Sequence, residues 1–188
     1  MKYKIIPSEE FKTVPWKNGK GITKELYVKQ EKERGDFIFR LSIAGVTENG
    51  PFSDFSGYNR VLMMLEGNGI RLEHSDGSIN EINSYSDMAI FSGDLKTEAV
   101  LKEGPIKDFN VFTLKEVCSS EVIAVNGEVV FSEGAGELFI LCCGDYAQIE
   151  SIGINVKIKH YHLLHITEIA SVAIRVKGNA IAVKIIYQ

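Results

Sequence analysis

VLMMLEGNGIRLEHSDGSINEINSYSDMAIF, residues 61–91, is a chain of short apolar runs punctuated by Gly67-Asn68-Gly69 and Asp76-Gly77. Apolar and polar side chains alternate in pieces too short to complete an amphipathic helix. A period of two buries one face of a strand, and turn pairs of this kind supply the positive φ that tight hairpins need. The stretch therefore reads as a β meander. It can be laid over LFILCCGDYAQIESIGINVKIKHYHLLHIT, residues 138–167, with one gap. Gly67 then meets Gly144, Leu72 meets Ile149, Ile82 meets Ile158, Tyr85 meets Tyr161 and Ile90 meets Ile166. Shared β periodicity alone can produce such a match. Internal duplication is the alternative and the favoured reading.

The same texture extends outward in both directions. ELYVKQ, DFIFRLSIAGV, TEAVLKEG and FNVFTL read as further short strands, and Asn49-Gly50-Pro51 and Asn126-Gly127 as further turns. Amphipathic helices, which a parallel α/β sheet would need between its strands, are missing, so an all-β sandwich or barrel is expected. Duplication divides the chain into residues 1–115 and 118–188. KEVCSSEV, spanning the boundary, is too short and too mixed to be a flexible tether, so the two halves are expected to pack as one unit.

Composition narrows the partners. In 188 residues, a 45% hydrophobic content can fill a real core. A formal charge of −4, from 21 basic and 25 acidic residues without a basic run, argues against nucleic acid or an anionic membrane as partner. The N-terminus lacks a signal-like apolar stretch and no run approaches the roughly 20 residues that span a bilayer, so a cytoplasmic location is expected. The cysteines Cys118, Cys142 and Cys143 have neither the even number of a disulfide framework nor the spacing of a zinc knuckle.

Candidate chemistry is concentrated in the first half. Thr23 and Glu25 lie two apart and share a strand face, as do Arg40 and Ser42. Arg40 interrupts an apolar run; it either faces solvent or meets an anionic partner, because a buried unpaired charge is costly. In NGPFSDFSGYNR, residues 49–60, a loop feeds a strand, and Arg60 stands where a guanidinium could grip a carboxylate with two hydrogen bonds. Phe52 and Phe55 could wall such a site, with Ser53 supplying a hydroxyl, or merely plug a barrel end. In WKNGKG, residues 16–21, the glycines lack the pattern of a phosphate loop, and Trp16 and Asn18 are either pocket residues or, for Trp16, a structural plug. His160, His162 and His165 are the densest metal-ligating cluster. On a strand the first two would share a face and the third would not, so no metal site is assigned. No nucleophile with a partnered base is evident, and no catalytic residue is assigned.

These segments, taken together, resemble the HutD/Ves family, whose motifs stand here as WKNGKGITKE, RLSIA, GPFSDFSGYNR, LEG, FSGD and DFN, in order over about residues 5–115. Lys20 replaces the family's middle glycine. The resemblance implies a bicupin, two double-stranded β-helix (jelly-roll-like) barrels without the common cupin metal ligands, often dimeric. It adds Phe91, Asp108 and Asn110 to Trp16, Asn18, Thr23, Glu25, Arg40, Ser42, Phe52, Ser53 and Arg60 as pocket residues, with no metal and no cofactor. It further implies a sensor or modulator of histidine utilisation that binds a small carboxylate metabolite such as urocanate or a formylated glutamate. An isomerase or hydrolase working through a pocket carboxylate, and a stress-related protein-interaction module, are the alternatives.

Overall fold

The computed structural model describes residues 1–16, 21–31, 37–131, 136–169 and 173–188. Strands dominate them: β1 (Lys2–Ile6), β2 (Lys12–Pro15), β3 (Ile22–Gln30), β4 (Phe37–Val46), β5 (Gly50–Pro51), β6 (Tyr58–Glu66), β7 (Ile70–His74) and β8 (Ile79–Ile82). They continue through β9 (Met88–Ser92), β10 (Thr97–Leu101), β11 (Ile106–Leu114), β12 (Cys118–Phe131), β13 (Glu137–Ser151), β14 (Ile154–Lys159), β15 (Leu163–Thr167) and β16 (Ile174–Tyr187). The helical content among the described residues is one 3-10 turn, Ser8–Glu10, and no helix is long and apolar enough to cross a membrane. The expected all-β class is therefore observed.

Two compact units result. Lys12–Cys118 forms one, and Met1–Phe11 joins Ser119–Gln188 in the other. The sequence division put residues 1–115 together; the difference arises because β1 pairs antiparallel with β15, Tyr3 opposite Ile166, and so satisfies its backbone in the later unit.

In the unit Lys12–Cys118, one sheet runs β2-β3-β4-β11-β6-β9 and a second runs β5-β10-β7-β8. The sheets are not closed into barrels: the hydrogen-bonded order ends at β2 and β9 in one and at β5 and β8 in the other. They share a core in which Val46, Leu62, Met64, Ala89 and Ile106 of the first meet Ile70, Leu72, Ile82 and Ala99 of the second. Each large aliphatic side chain buried there contributes roughly 1.5–3 kcal/mol relative to exposure. The apolar run in β6 has a physical cause, since Leu62 and Met64 face this core while Val61 and Met63, on the other face, are buried as well.

The later unit orders its sheet β1-β15-β13-β16-β12, with β14 on β13. Its core is built from Leu138, Ile140, Ile149, Ile158, Ile166 and Val176 with their neighbours. Its strand register repeats that of the earlier unit. Val61 opposes Ile90 as Leu138 opposes Ile166, and Ile70 opposes Ile82 as Ala147 opposes Ile158. Leu72 opposes Ala99 as Ile149 opposes Val176. The first two are correspondences of the sequence overlay carried into paired strands, and the third extends the match beyond it.

Candidate functional site

The inner face of the six-stranded sheet carries its polar groups in rows, because residues directly opposite one another on antiparallel strands project to the same side. In the first row Arg40 opposes Phe112, Phe112 opposes Arg60 and Arg60 opposes Phe91, across β4, β11, β6 and β9. In the second, Glu25 opposes Ser42, and Ser42 opposes Asn110. In the third, Thr23 opposes Ala44, and Ala44 opposes Asp108. The rows open on a cavity of about 600 Å³.

Ten of the expected residues line this cavity: Trp16, Thr23, Glu25, Arg40, Ser42, Phe52, Ser53, Arg60, Asp108 and Asn110. Phe91 does not line it; it lies behind Arg60, its ring centroid 4.9 Å from the guanidinium carbon. Asn18 lies outside the described residues. Phe55, read from the sequence as a possible wall of the site, lines the cavity too, and so do Phe112 and Asp54, which were not among the expected residues. Phe112 follows Asp108 and Asn110 at the same spacing of two along β11, so it shares their face once the strand is paired.

The loop between β5 and β6 forms one wall and is fixed at several points. Phe52 N–H donates to the Thr97 carbonyl at 2.8 Å, and Gly57 N–H to Asp94 Oδ1 at 2.7 Å. Asp94 also takes a hydrogen bond from Lys115 Nζ. Gly93 N–H donates to the Tyr58 carbonyl, and a Cβ at Gly93 would stand 2.1 Å from the Phe55 carbonyl oxygen. FSGD is therefore the buttress of the GPFSDFSGY loop. On the opposite wall Trp16 lies flat against Gly21, where a Cβ would come within 3.0 Å of its ring, and its indole N–H donates to Thr23 Oγ1 at 2.8 Å.

Two guanidiniums, Arg40 and Arg60, and three carboxyl groups, Glu25, Asp54 and Asp108, line the cavity. Arg60 is 6% exposed, with Phe112, Phe91, Phe52 and Phe55 within 4.7–5.4 Å of its guanidinium carbon. Arg40 packs on the other side of Phe112 at 4.4 Å, and on Phe37 and Phe55 at 4.9 Å each. Such cation–π contacts compensate part of the lost hydration. The Nε of each arginine is buried without a hydrogen-bond partner among the described residues. Arg60 Nη2 donates to Asn110 Oδ1 at 3.2 Å, and Asn110 Nδ2 donates in turn to Asp108 Oδ1 at 2.8 Å. Glu25 is occupied by Lys12 at 3.6 Å.

Burial lowers Arg60 to about 10, against the opposing pull of Asp108, so the group stays cationic at neutral pH. Burial likewise lowers Arg40. Asp108, 2% exposed, is pushed up to about 6 by burial, with Arg60 and the Asn110 hydrogen bond opposing. An aromatic cavity lined by two buried guanidiniums, each with an unpartnered Nε, can bind a planar or carboxylate-bearing anion.

The histidines lie elsewhere. β14 ends at Lys159, and His160 to His162 form a turn in which Tyr161 has φ 55°, so the strand expected there gives way. His165, on β15, bonds Glu137 Oε2 at 2.6 Å and stacks on Phe139 at 4.2 Å, while the Tyr187 hydroxyl donates to Glu137 Oε1. Among the described residues no group of three or more His, Cys, Asp or Glu is arranged for a metal ion. The Cys142 thiol is pushed up to about 11 by burial, which suits a packing role.

Comparison with known proteins agrees with the motifs. An uncharacterized 21.2 kDa protein in the hutC 3′ region of Pseudomonas putida is 28% identical over 153 residues, 81% of this chain and 80% of that one. Protein Ves of Escherichia fergusonii is 36% identical over 128 residues, 67% of this chain and 66% of Ves. The structure of HutD from Pseudomonas fluorescens SBW25, in a formate condition, superposes with a TM-score of 0.88 at 26% identity, covering 100% of both chains. The Escherichia coli pirin YhhW in complex with nickel(II), at 10% identity, TM-score 0.68 and 99% of both chains, shares the cupin-like fold alone. The HutD family model matches residues 8–183, nearly the whole chain, and with the cavity motifs in register on adjacent strands the protein belongs to the HutD family.

Proposed function

We propose that the chain is a metal-independent sensor or modulator that binds a small carboxylate metabolite in the cavity of the unit Lys12–Cys118, in connection with histidine utilisation. The observation that carries the reading is Arg60: a buried cation whose Nε has no hydrogen-bond partner among the described residues, aimed into an aromatic-walled cavity. A charge in that position costs folding free energy unless a ligand uses it. The carboxylate anchors on Arg60 with Arg40 assisting, Phe52 and Trp16 wall the ligand, and Asn110 and Glu25 read its far polar end. Urocanate or a formylated glutamate has the required anionic group and size. The hutC-region location of the Pseudomonas putida relative supports the pathway assignment.

The repeated strand register supports reading the two units as a pair of cupin-like barrels, a bicupin, with the later unit as scaffold or as the surface of a homodimer in the cytoplasm. The function is tested by a thermal-shift and calorimetric screen with urocanate, N-formylglutamate and related acids. Binding that is lost in Arg60→Ala supports it. No shift with any of these acids in the wild-type protein rejects it.

A further inference from the structure

We propose that an anion entering this cavity is taken up together with a solvent proton, which Asp108 accepts. The inference rests on the carboxylate-binding reading of the cavity and concerns how that site is regulated.

Asp108 is nearly sealed from bulk water yet lines the cavity. It does not contact Arg60 directly; the Asn110 amide stands between them, accepting from Arg60 Nη2 and donating to Asp108 Oδ1. In the unliganded site Asp108 is thus the carboxylate that balances Arg60 at one remove. The other charged groups on the surrounding elements do not substitute for it. Arg40 on β4 adds a second cation, which Glu25 on β3 offsets while also lying 3.6 Å from Lys12 on β2, and Asp54 on the β5–β6 loop is exposed.

An anion that reaches the Arg60 guanidinium from the cavity supplies the counter-charge that Asp108 had supplied. Two anions then share one aromatic-walled space. At an effective dielectric of about 20 and a separation of roughly 7 Å, their repulsion is enough to raise the proton affinity of the carboxyl more than tenfold. Burial already holds that carboxyl at about 6, so a rise of this size carries it through neutrality. The balance is simple: one carboxylate oxygen of Asp108 takes one proton from solvent, and nothing is oxidised or reduced. The product, a neutral acid, can donate to a ligand oxygen where the carboxylate could only repel it.

N-formylglutamate is the probe, because its own carboxyls do not titrate between about pH 6 and about pH 9. Calorimetry in buffers of different ionisation enthalpy should show uptake of roughly half a proton per ligand near pH 7, and affinity should fall several-fold from about pH 6 to about pH 8. Asp108→Asn should bind without proton exchange and with a flat pH profile. The infrared difference spectrum of the wild-type protein should gain a carboxylic-acid C=O band on binding, which decides the matter even if the variant does not fold. Binding that is lost in Arg60→Ala but proceeds in wild type with no proton uptake and no new band overturns this inference while leaving the binding function standing. Undiminished uptake in Asp108→Asn overturns it too. Absence of binding by wild type overturns the function and this inference together.

Discussion

Burying a guanidinium among Phe52, Phe55, Phe91 and Phe112, with Asn110 as its hydrogen-bond partner, works against folding unless something offsets the lost hydration. Removing Arg60 alone strands Asp108, so the informative variant is the double Arg60→Met, Asp108→Asn, which takes both charges out of the core. It should melt several degrees above the wild type, on the order of 1–2 kcal/mol of added stability, and bind no carboxylate. Asp108 alone predicts a pH dependence. Its ordinary value of 3.8 applies in the unfolded chain and about 6 in the folded one. Between these values the folded state binds more protons, so stability falls as pH rises from about 4 to about 6 and stays low above it. Asp108→Asn lacks this loss, and its unfolding free energy relative to wild type, from denaturant titrations, should climb across that window by up to about 2–3 kcal/mol. At this scale spacing of two was the readable signal. It paired Thr23 with Glu25 and Arg40 with Ser42 on single faces, and all four line the cavity. Phe112 was harder to read because, within FNVFTL, an aromatic residue is indistinguishable from ordinary core until the strand's partners are known.

Among the elements, the β5–β6 loop matters most, since Phe52, Ser53, Asp54 and Phe55 all reach the cavity from it. Its conformation is imposed by a segment some forty residues later: Gly93 admits the Phe55 carbonyl, and Asp94 accepts from Gly57 N–H. Gly93→Ala should displace the loop, weaken ligand binding at least tenfold and lower stability by about 1–3 kcal/mol. Titration calorimetry and a melting curve would check it, and unaltered binding would show that the loop does not shape the site. Short strands such as β7, β8 and β10 were legible because glycine and asparagine turns bracket each one. β13 and β16, of 15 and 14 residues, were not legible as single strands. Their register jumps where Cys142 and Ala147 oppose Ala180 and Gly178, and Gly178 has φ 114°. One strand can thereby serve two segments of sheet that, in the earlier unit, need β6 and β7 on one side and β10 and β11 on the other.

In the molecule as a whole, the overlay of apolar positions between the two halves was legible, and strand registers repeat its correspondences. The place of the first strand was not visible, because KYKII carries no mark of its partner and β pairing between residues so distant in sequence leaves no local signature. A fragment of residues 119–188 lacks β1 and leaves the β15 backbone unpaired on one side. It should aggregate or exchange its Leu163–Thr167 amides rapidly. The same fragment with residues 1–11 fused through a glycine-serine linker should protect them, as hydrogen exchange would report.

The pairing of Tyr3 with Ile166 also sets an order of events during synthesis. β1 is synthesised before its partner β15, with the whole unit Lys12–Cys118 emerging in between. Closing so long a loop is entropically slow, and the earlier unit, from Lys12 onward, has every local pairing it needs to form first. The nascent chain therefore presents a folded cavity while β1, already synthesised, stays unpaired until β15 has been made.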